Sequence, residues 1–142
     1  MWVTISEFKE DLVNNRFDER SRFYKKLLDI IEPYIEGSKI KCFYPKNIYN
    51  SNEEKEFIFF LEKYIVTVTF QKDERYFLKS IPIPKGEISL EIPEYAYQGV
   101  QLNLENKGKE VISLNSSEDS NSNWNDEYIE NIKKIYKFLI ER

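Results

Sequence analysis

Residues 57–70 decide the fold and read Phe57-Ile58-Phe59-Phe60-Leu61-Glu62-Lys63-Tyr64-Ile65-Val66-Thr67-Val68-Thr69-Phe70. Two apolar runs, rich in aromatic and β-branched residues, are separated by a single charged pair, and this composition is typical of paired strands. Two residues suffice for a hairpin turn, although Glu62-Lys63 is not a favoured turn dipeptide. The stretch therefore predicts a tight antiparallel hairpin.

Short apolar runs bounded by turn residues continue on either side of this hairpin. Pro45 stops the first run, and Ile88, Leu90 and Ile92 alternate with polar residues as a half-buried strand requires. Asn106-Lys107-Gly108 supplies a residue suited to positive φ and so predicts a second hairpin. In total we predict seven strands, at residues 39–44, 57–61, 64–70, 75–81, 87–92, 100–105 and 109–115.

Helical patterns occupy both ends of the chain. Thr4-Ile5-Ser6-Glu7 has the form of a capping box and predicts a short helix to about Val13. A second helix is predicted to begin near Asp18 or Ser21 and to end at Pro33 and Gly37. The last helix is predicted from about Asn125, with an apolar face made by Tyr128, Ile132, Ile135 and Leu139.

The order of these elements predicts an α+β protein with one domain, residues 1–142. Its helical N-terminal segment covers residues 1–37, and its β-rich part with the C-terminal helix covers residues 38–142. The first hairpin carries apolar residues on both faces around Phe57 to Phe60. We therefore expect it to be covered on both sides, with the N-terminal helices on one of them.

Three segments resemble bacterial pleckstrin-homology-like domains, namely residues 59–66, 80–88 and 99–114. The resemblance covers about residues 39–142 and implies a partly open barrel of two near-orthogonal sheets, with the last helix at one end. It also implies no catalysis. Lipid recognition in that family uses clustered basic residues, whereas Lys46, Lys55 and Lys63 are interspersed here with acidic ones. The alternative is a meander sheet with all helices packed on one face.

Composition excludes several classes of function. The chain has no histidine, which removes serine-histidine and cysteine-histidine nucleophile pairs and most zinc sites. Its net charge of -4 argues against a nucleic-acid-binding protein, and no apolar run is long enough for a membrane span. The lone Cys42 suggests a buried structural thiol in a cytoplasmic protein. Abundant lysine, asparagine and isoleucine suggest a bacterial or phage origin, and no cofactor is expected.

One acidic loop approaches the ligand spacing of a calcium-binding EF-hand. Its candidate ligands are Asp119, Asn121, Asn123, Glu127 and Glu130. However, Trp124 stands where that loop needs glycine, and the preceding element is a strand. Serine, asparagine and aspartate before a helix also suit a solvated loop and a helix cap, so we predict no metal site.

The preferred hypothesis for function is a non-enzymatic protein-binding or accessory module, a monomer or small homo-oligomer, that offers a free sheet edge to a partner strand. Tyr95 and Tyr97 flank Ala96 in a loop and are candidate interface residues, unless they fold back on the core. A second hypothesis is a small-ligand site in an apolar pocket between the N-terminal helices and the sheet, lined by Phe57, Phe59 and Tyr64. The third is a cofactor-free enzyme that uses carboxylates or tyrosine.

Overall fold

The computed structural model describes residues 21–49, 54–70 and 75–142. The first described helix, α1, covers Ser21–Ile31, and the C-terminal helix, α2, covers Asn125–Glu141. Between them lie 3₁₀ turns at Gly37–Lys39 and Ala96–Gln98 and seven strands: β1 (Cys42–Lys46), β2 (Glu56–Phe60), β3 (Tyr64–Phe70), β4 (Tyr76–Pro82), β5 (Glu87–Glu91), β6 (Gln101–Asn106) and β7 (Lys109–Asn115). The predicted capping box at Thr4 and the predicted helix to Val13 lie outside the described residues.

The strands form two antiparallel sheets, which confirms the predicted α+β class. One sheet has four strands in the order β1-β2-β3-β4, and the other has three in the order β5-β6-β7. Within each sheet, strands that follow one another in the chain pair with each other, so both sheets are meanders. The segment between β4 and β5 connects them. Within the described residues these sheets do not close into a single hydrogen-bonded barrel.

Both predicted hairpins are confirmed. Leu61 N–H donates to Tyr64 C=O at 2.8 Å, which closes the first hairpin around Glu62 and Lys63. The second hairpin, between β6 and β7, turns at Lys107 with φ 54° and Gly108 with φ 79°. Positive φ at both central residues is the geometry whose twist matches that of the flanking strands. The turn therefore depends on glycine at position 108, where no Cβ resists this conformation.

Pro45 does not end the first strand as predicted. β1 runs from Cys42 to Lys46 and pairs Pro45 with Phe57, while the predicted start at Lys39 belongs to a 3₁₀ turn. Proline is tolerated here because β1 is an edge strand, and the missing N–H faces away from β2. The sequence pattern does not distinguish an edge strand from a central one, so the prediction was wrong at this boundary.

Strand β2 of the first sheet is buried on both faces, as predicted for the residues around Phe57 to Phe60. The four consecutive side chains from Phe57 to Phe60 are each at most 1% exposed. On one face, Phe59 and the α1 residues Leu28 and Ile31 line the same small cavity. On the opposite face, the ring of Tyr44 packs edge-on against Tyr128 of α2, with centroids 5.2 Å apart. α1 therefore covers one face, and α2 covers part of the other.

Candidate functional site

The outer edge of β1 is covered by the end of the chain. Asn131 of α2 donates its side-chain amide to Phe43 C=O at 2.8 Å, and the Tyr128 hydroxyl donates to Pro45 C=O. One step further, Asn47 N–H donates to Asp119 C=O at 2.9 Å. Because these groups occupy the hydrogen-bonding positions that an added strand would need, β1 is not a free edge.

Asp119 covers the outer edge of β7 at the same time. Its Oδ2 atom accepts hydrogen bonds from Asn115 N–H at 2.8 Å and from the Tyr44 hydroxyl at 2.7 Å. Lys46 adds a hydrogen bond to Ser113 C=O at 3.0 Å and lies 3.8 Å from Asp119 Oδ1. Asp119 thus connects the edge of β1 to the edge of β7, and through them the two sheets.

Burial raises the pKa values of Asp119 and Tyr44, which favours the protonated form of each group. It raises the pKa of Asp119, while the positive charge of Lys46 and the hydrogen bonds from Asn115 and Tyr44 act in the opposite direction. Burial also raises the pKa of Tyr44 well above its usual value, and the charge of Asp119 adds to that effect. Tyr44 therefore remains a protonated donor near neutral pH, which suits a structural role.

α2 also contacts β5, although no described residue hydrogen-bonds to the outward backbone groups of that strand. The outer edge of β4 likewise has no hydrogen-bond partner among the described residues. Ile83 N–H donates to Lys63 C=O, so these opposed residues form a hydrogen-bonded pair of the β3–β4 ladder. Hydrogen-bonded and non-hydrogen-bonded pairs alternate along the ladder from this point. Because that alternation has a period of two, Leu78 and Ser80 direct their N–H and C=O groups away from β3. No described residue hydrogen-bonds to these outward groups.

Side chains along β4 are more exposed than those of the central strands. Phe77 is 51% exposed, and Lys79 and Ser80 are also exposed. A lysine and the terminal Pro82 are features that limit uncontrolled pairing between sheet edges. They leave the polar backbone groups of Leu78 and Ser80 open to a partner.

The largest of the three clefts described here lies on the inner face of β4. Its volume is about 290 Å³, and its lining comes from β2, β3, β4 and β7: Glu56, Thr67, Thr69, Phe77, Lys79, Ile81, Val111 and Ile112. We call it the inner-face groove. Burial raises the pKa of Glu56, which is half-buried in this groove, and the nearby Lys46 acts against that shift.

The apolar pocket predicted beside α1 is small. The cavity there is about 90 Å³ and is lined by residues that include Leu28, Ile31, Ile35 and Phe59. Ligand pockets for drug-sized molecules usually begin near about 300 Å³. Of the three residues predicted to line such a pocket, Phe57 and Phe59 are buried in the core, whereas Tyr64 is 48% exposed.

Tyr95 and Tyr97 form an exposed aromatic pair. Their rings stack with centroids 5.8 Å apart, and they are 54% and 74% exposed. The loop is held by Asn125, whose side-chain amide donates to Ala96 C=O at 3.0 Å. Beside Tyr97 lies a cleft of about 190 Å³ whose other lining residues, Ser117, Asn121, Ser122 and Asn125, are neutral and polar.

The EF-hand candidates do not converge on one point. Asp119 belongs to the network with Tyr44, and Asn121 Oδ1 accepts hydrogen bonds from the N–H groups of Asn123 and Trp124. Glu130 is exposed and lies 4.0 Å from Lys133, while Glu127 has a buried carboxylate oxygen without a hydrogen-bond partner. Across residues 21–49, 54–70 and 75–142, no group of three or more acidic, cysteine or histidine side chains is placed to hold a metal ion.

Cys42 lies in the core between the two sheets and α2. It is 2% exposed, and burial raises its pKa from 9.0 to about 11. A thiol with this pKa is almost entirely protonated at neutral pH and is therefore a poor nucleophile.

Two buried side chains that close the fold were not identified from the sequence. Tyr128 was assigned to the apolar face of the last helix, although its hydroxyl caps β1, and Asn131 was not singled out at all. A signal for Asn131 existed, because it lies three and four residues from Tyr128 and Ile135 on a face that is otherwise apolar. A buried asparagine on such a face must find a hydrogen-bond partner.

The fold and its surfaces define a class: an α+β protein of two antiparallel sheets held by a C-terminal helix, with the outer edge of β4 uncapped among the described elements. The chain belongs to the family described as "Protein of unknown function (DUF3908)", whose family model matches residues 4–130. The chain has no significant match among curated proteins or solved structures. No helix within the described residues is long and apolar enough to cross a membrane.

Proposed function

We propose that this protein is a non-enzymatic, cytoplasmic protein-binding module that accepts an extended partner segment along β4. The observation that carries the proposal is the contrast between β4 and the two edges that are hydrogen-bonded, β1 and β7. Side chains bond to the outer edges of β1 and β7, and α2 contacts β5, whereas the outward backbone groups of Leu78 and Ser80 have no partner among the described residues. An added strand would satisfy these groups and extend the four-stranded sheet to five.

The sheet order supports a pleckstrin-homology-like arrangement as part of this proposal. Four antiparallel strands, then three, then one C-terminal helix is the order that the resemblance over residues 39–142 implies. Because Asp119 joins β1 to β7, the open corner between the sheets in such an arrangement falls between β4 and β5. The binding edge and the inner-face groove would then share one side of the molecule.

Ser80→Pro tests the edge directly. The substitution removes an outward N–H that takes no part in the β3–β4 ladder, and the side chain it replaces is exposed, so we expect the fold to survive. Ser80→Ala is the matched control, because it removes the hydroxyl and keeps the N–H. The probes are peptides selected from a random displayed library on the wild-type protein. We expect them to bind Ser80→Ala normally and Ser80→Pro about tenfold or more weakly.

Hydrogen exchange gives an independent reading in the wild-type protein. When a selected peptide is added, the amide protons of Leu78 and Ser80 should exchange more slowly, because they enter new hydrogen bonds. Unchanged exchange at both amides, or equal peptide binding by wild type and a folded Ser80→Pro variant, would refute strand addition at β4.

The exposed tyrosine pair supports a second docking surface for the same function. Tyr95 and Tyr97 offer a rigid stack of aromatic area beside a neutral polar cleft, the kind of surface that is enriched at protein interfaces. If peptides dock there, replacing both tyrosines by alanine weakens binding, and Ser80→Pro leaves it unchanged. The two surfaces are therefore distinguished by the same peptide panel.

A further inference from the structure

The inner-face groove has a regular floor that the strand register defines. Glu56, Thr69 and Phe77 stand side by side on β2, β3 and β4, and the next row places Thr67 beside Lys79. Val111 and Ile112 of β7 form the opposing wall. Neighbouring side chains in such rows lie about 4.5–5.5 Å apart at Cβ. The groove therefore has a carboxylate and hydroxyls on its floor and apolar walls.

Glu56 is the one acidic side chain in the described lining of this groove. Among the residues that the structure describes, none donates a hydrogen bond to its carboxylate or lies within ion-pair distance of it. Lys46 stands opposite it on β1, but its ammonium is engaged with Ser113 C=O and Asp119. A half-buried carboxylate without a partner is costly, and a cationic ligand would relieve that cost.

We propose that the inner-face groove binds a cationic group carried on a short apolar stem, with Glu56 as its counter-ion. An alkylammonium, an alkylguanidinium and an arginine side chain share this chemistry. The apolar part would lie against Phe77, Ile81 and Val111, while the hydroxyls of Thr67 and Thr69 accept hydrogen bonds from the cation. At about 290 Å³ the groove suits one side chain or a molecule of similar size.

The positive charge of Lys79 should weaken the binding of a cation in the groove. Replacing Lys79 should therefore change the affinity in the direction opposite to replacing Glu56. Lys79 belongs to the groove lining but is exposed on an edge strand, so its ammonium remains hydrated at the rim. Its charge repels a bound cation across the groove. Removing that charge should strengthen binding, whereas removing the charge of Glu56 should weaken it.

The probes are n-butylguanidinium and n-butylurea, which have nearly the same shape and differ in charge. Binding is followed by the shifts of the Thr67, Thr69 and Phe77 amide signals during titration. We expect butylguanidinium to bind at least about tenfold more tightly than butylurea, as a charge-assisted contact requires. Equal affinity for the two probes, or no shift with either at high millimolar concentration, would overturn the proposal.

Three variants assign the effect to the groove. Glu56→Gln should lose the preference for the cation, Lys79→Met should increase it, and Glu62→Gln, on an exposed turn, should leave it unchanged. Because no described residue hydrogen-bonds to the Glu56 carboxylate, its amide variant should fold normally. A cation preference that persists in Glu56→Gln would place the binding elsewhere and contradict the proposal.

The pH dependence gives a further check. Glu56 is faced by Lys46 on β1, Lys79 on β4, Glu54 before β2 and the carboxylate of Asp119. Because burial raises its pKa, the carboxylate gains its proton earlier than usual as the pH falls, and cation binding should weaken in that range. Binding of butylguanidinium that stays constant from neutral pH down to the unfolding pH would refute the role of Glu56.

A final arm distinguishes the two sources of such a cation. Butylguanidinium is compared with blocked arginine flanked by one residue on each side. Tighter binding of the peptide points to the side chain of a protein partner, and tighter binding of the free compound points to a small organic amine. This site does not depend on strand addition, because Ser80→Pro leaves the groove intact and Glu56→Gln leaves the outer edge of β4 intact.

Discussion

Asp119 is the residue on which the junction of the two sheets depends most. Asp119→Ala removes the acceptor of Asn115 N–H and the close acceptor of the Tyr44 hydroxyl, which keeps only the 3.5 Å hydrogen bond to Asn115 C=O. We expect a loss of about 2 to 4 kcal/mol in the free energy of unfolding, measured by urea denaturation.

Asp119→Asn is the matched variant, because its amide oxygen can still accept both hydrogen bonds. Burial already raises the pKa of Asp119, so the native state gains from a neutral group at this position. We expect a smaller loss of about 1 to 2 kcal/mol, since the amide donor then faces the ammonium of Lys46. If asparagine is as damaging as alanine, the charge attraction to Lys46 matters more than the hydrogen bonds.

At the scale of single residues, sequence patterns assigned residues to strands, loops and helices. They did not identify the distant residues that these side chains contact. The loop before α2 was expected to be solvated, and this was wrong for Ser116, Asp119 and Ser120, which are buried. Asp119 was considered as a calcium ligand, whereas it bonds to β1. Its hydrogen bond with Tyr44 joins residues 75 positions apart, and Asn131 reaches Phe43 across 88 positions. No local pattern encodes a contact of that separation, so only the folded structure reveals it.

At the scale of elements, the three-stranded sheet carries an unfavourable row of charges. Glu87 lies directly opposite Glu105, and Glu105 lies opposite Glu110. Like charges in directly opposed positions destabilise a sheet by about 0.2 to 1 kcal/mol per pair. Glu105→Gln removes both repulsions at once, so we expect the free energy of unfolding to rise by about that amount for each of the two pairs.

Glu91→Gln is the matched control for this row. Glu91 sits at the other end of β5 opposite the neutral Gln101, so its replacement should change stability little. Added salt should also reduce the advantage of Glu105→Gln, because it screens exposed charges. Equal effects of the two substitutions in thermal melts would show that net charge, and not the cross-strand row, sets the difference.

The elements were predictable wherever alternation or helical spacing was strong. The strands at Gln101–Asn106 and Lys109–Asn115 and the helix from Asn125 follow the predicted pattern closely. β1 was misjudged at both ends, because a proline in an edge strand and a 3₁₀ turn at Gly37–Lys39 depend on what lies beside them. Whether a strand lies at the edge depends on how the sheet assembles, so the sequence of that strand alone does not show it.

At the scale of the whole molecule, the last part of the chain locks what precedes it. Tyr128 and Asn131 cover β1, and Arg142 donates two hydrogen bonds to Glu62 C=O, each 3.2 Å long, beside the first hairpin. α2 therefore contacts the sheet at both ends of the helix. Strand β4, whose outer edge has no partner among the described residues, lies in the four-stranded sheet at the edge opposite β1.

Burial also gives the whole molecule a characteristic dependence on pH. Each described group whose pKa departs from its ordinary value shifts upward, and burial is the largest cause in every case. The native state therefore keeps protons that the unfolded chain has already lost, and stability falls as the pH rises through each such window. With no histidine in the chain, we expect little change between the acidic window of the carboxylates and the alkaline one.

As the pH rises above neutral, Cys42 is the first of these groups whose titration should lower the stability of the protein. Its thiol keeps its full stabilising contribution below its ordinary pKa of 9.0 and loses that contribution as the pH rises toward about 11. One proton changes the free energy of unfolding by at most about 1.4 kcal/mol per pH unit. Urea denaturation between pH 8 and pH 10 should therefore show a decline in wild type that is clearly shallower in Cys42→Ala, which has no thiol to titrate. The ordinary pKa of Tyr44 is 10.0 and burial raises it, so its stabilising contribution begins to fall only above this pH range, and equally in both proteins. Identical slopes for wild type and Cys42→Ala would mean that the thiol reaches water before the protein unfolds, and that Cys42 is less deeply enclosed than its 2% exposure indicates.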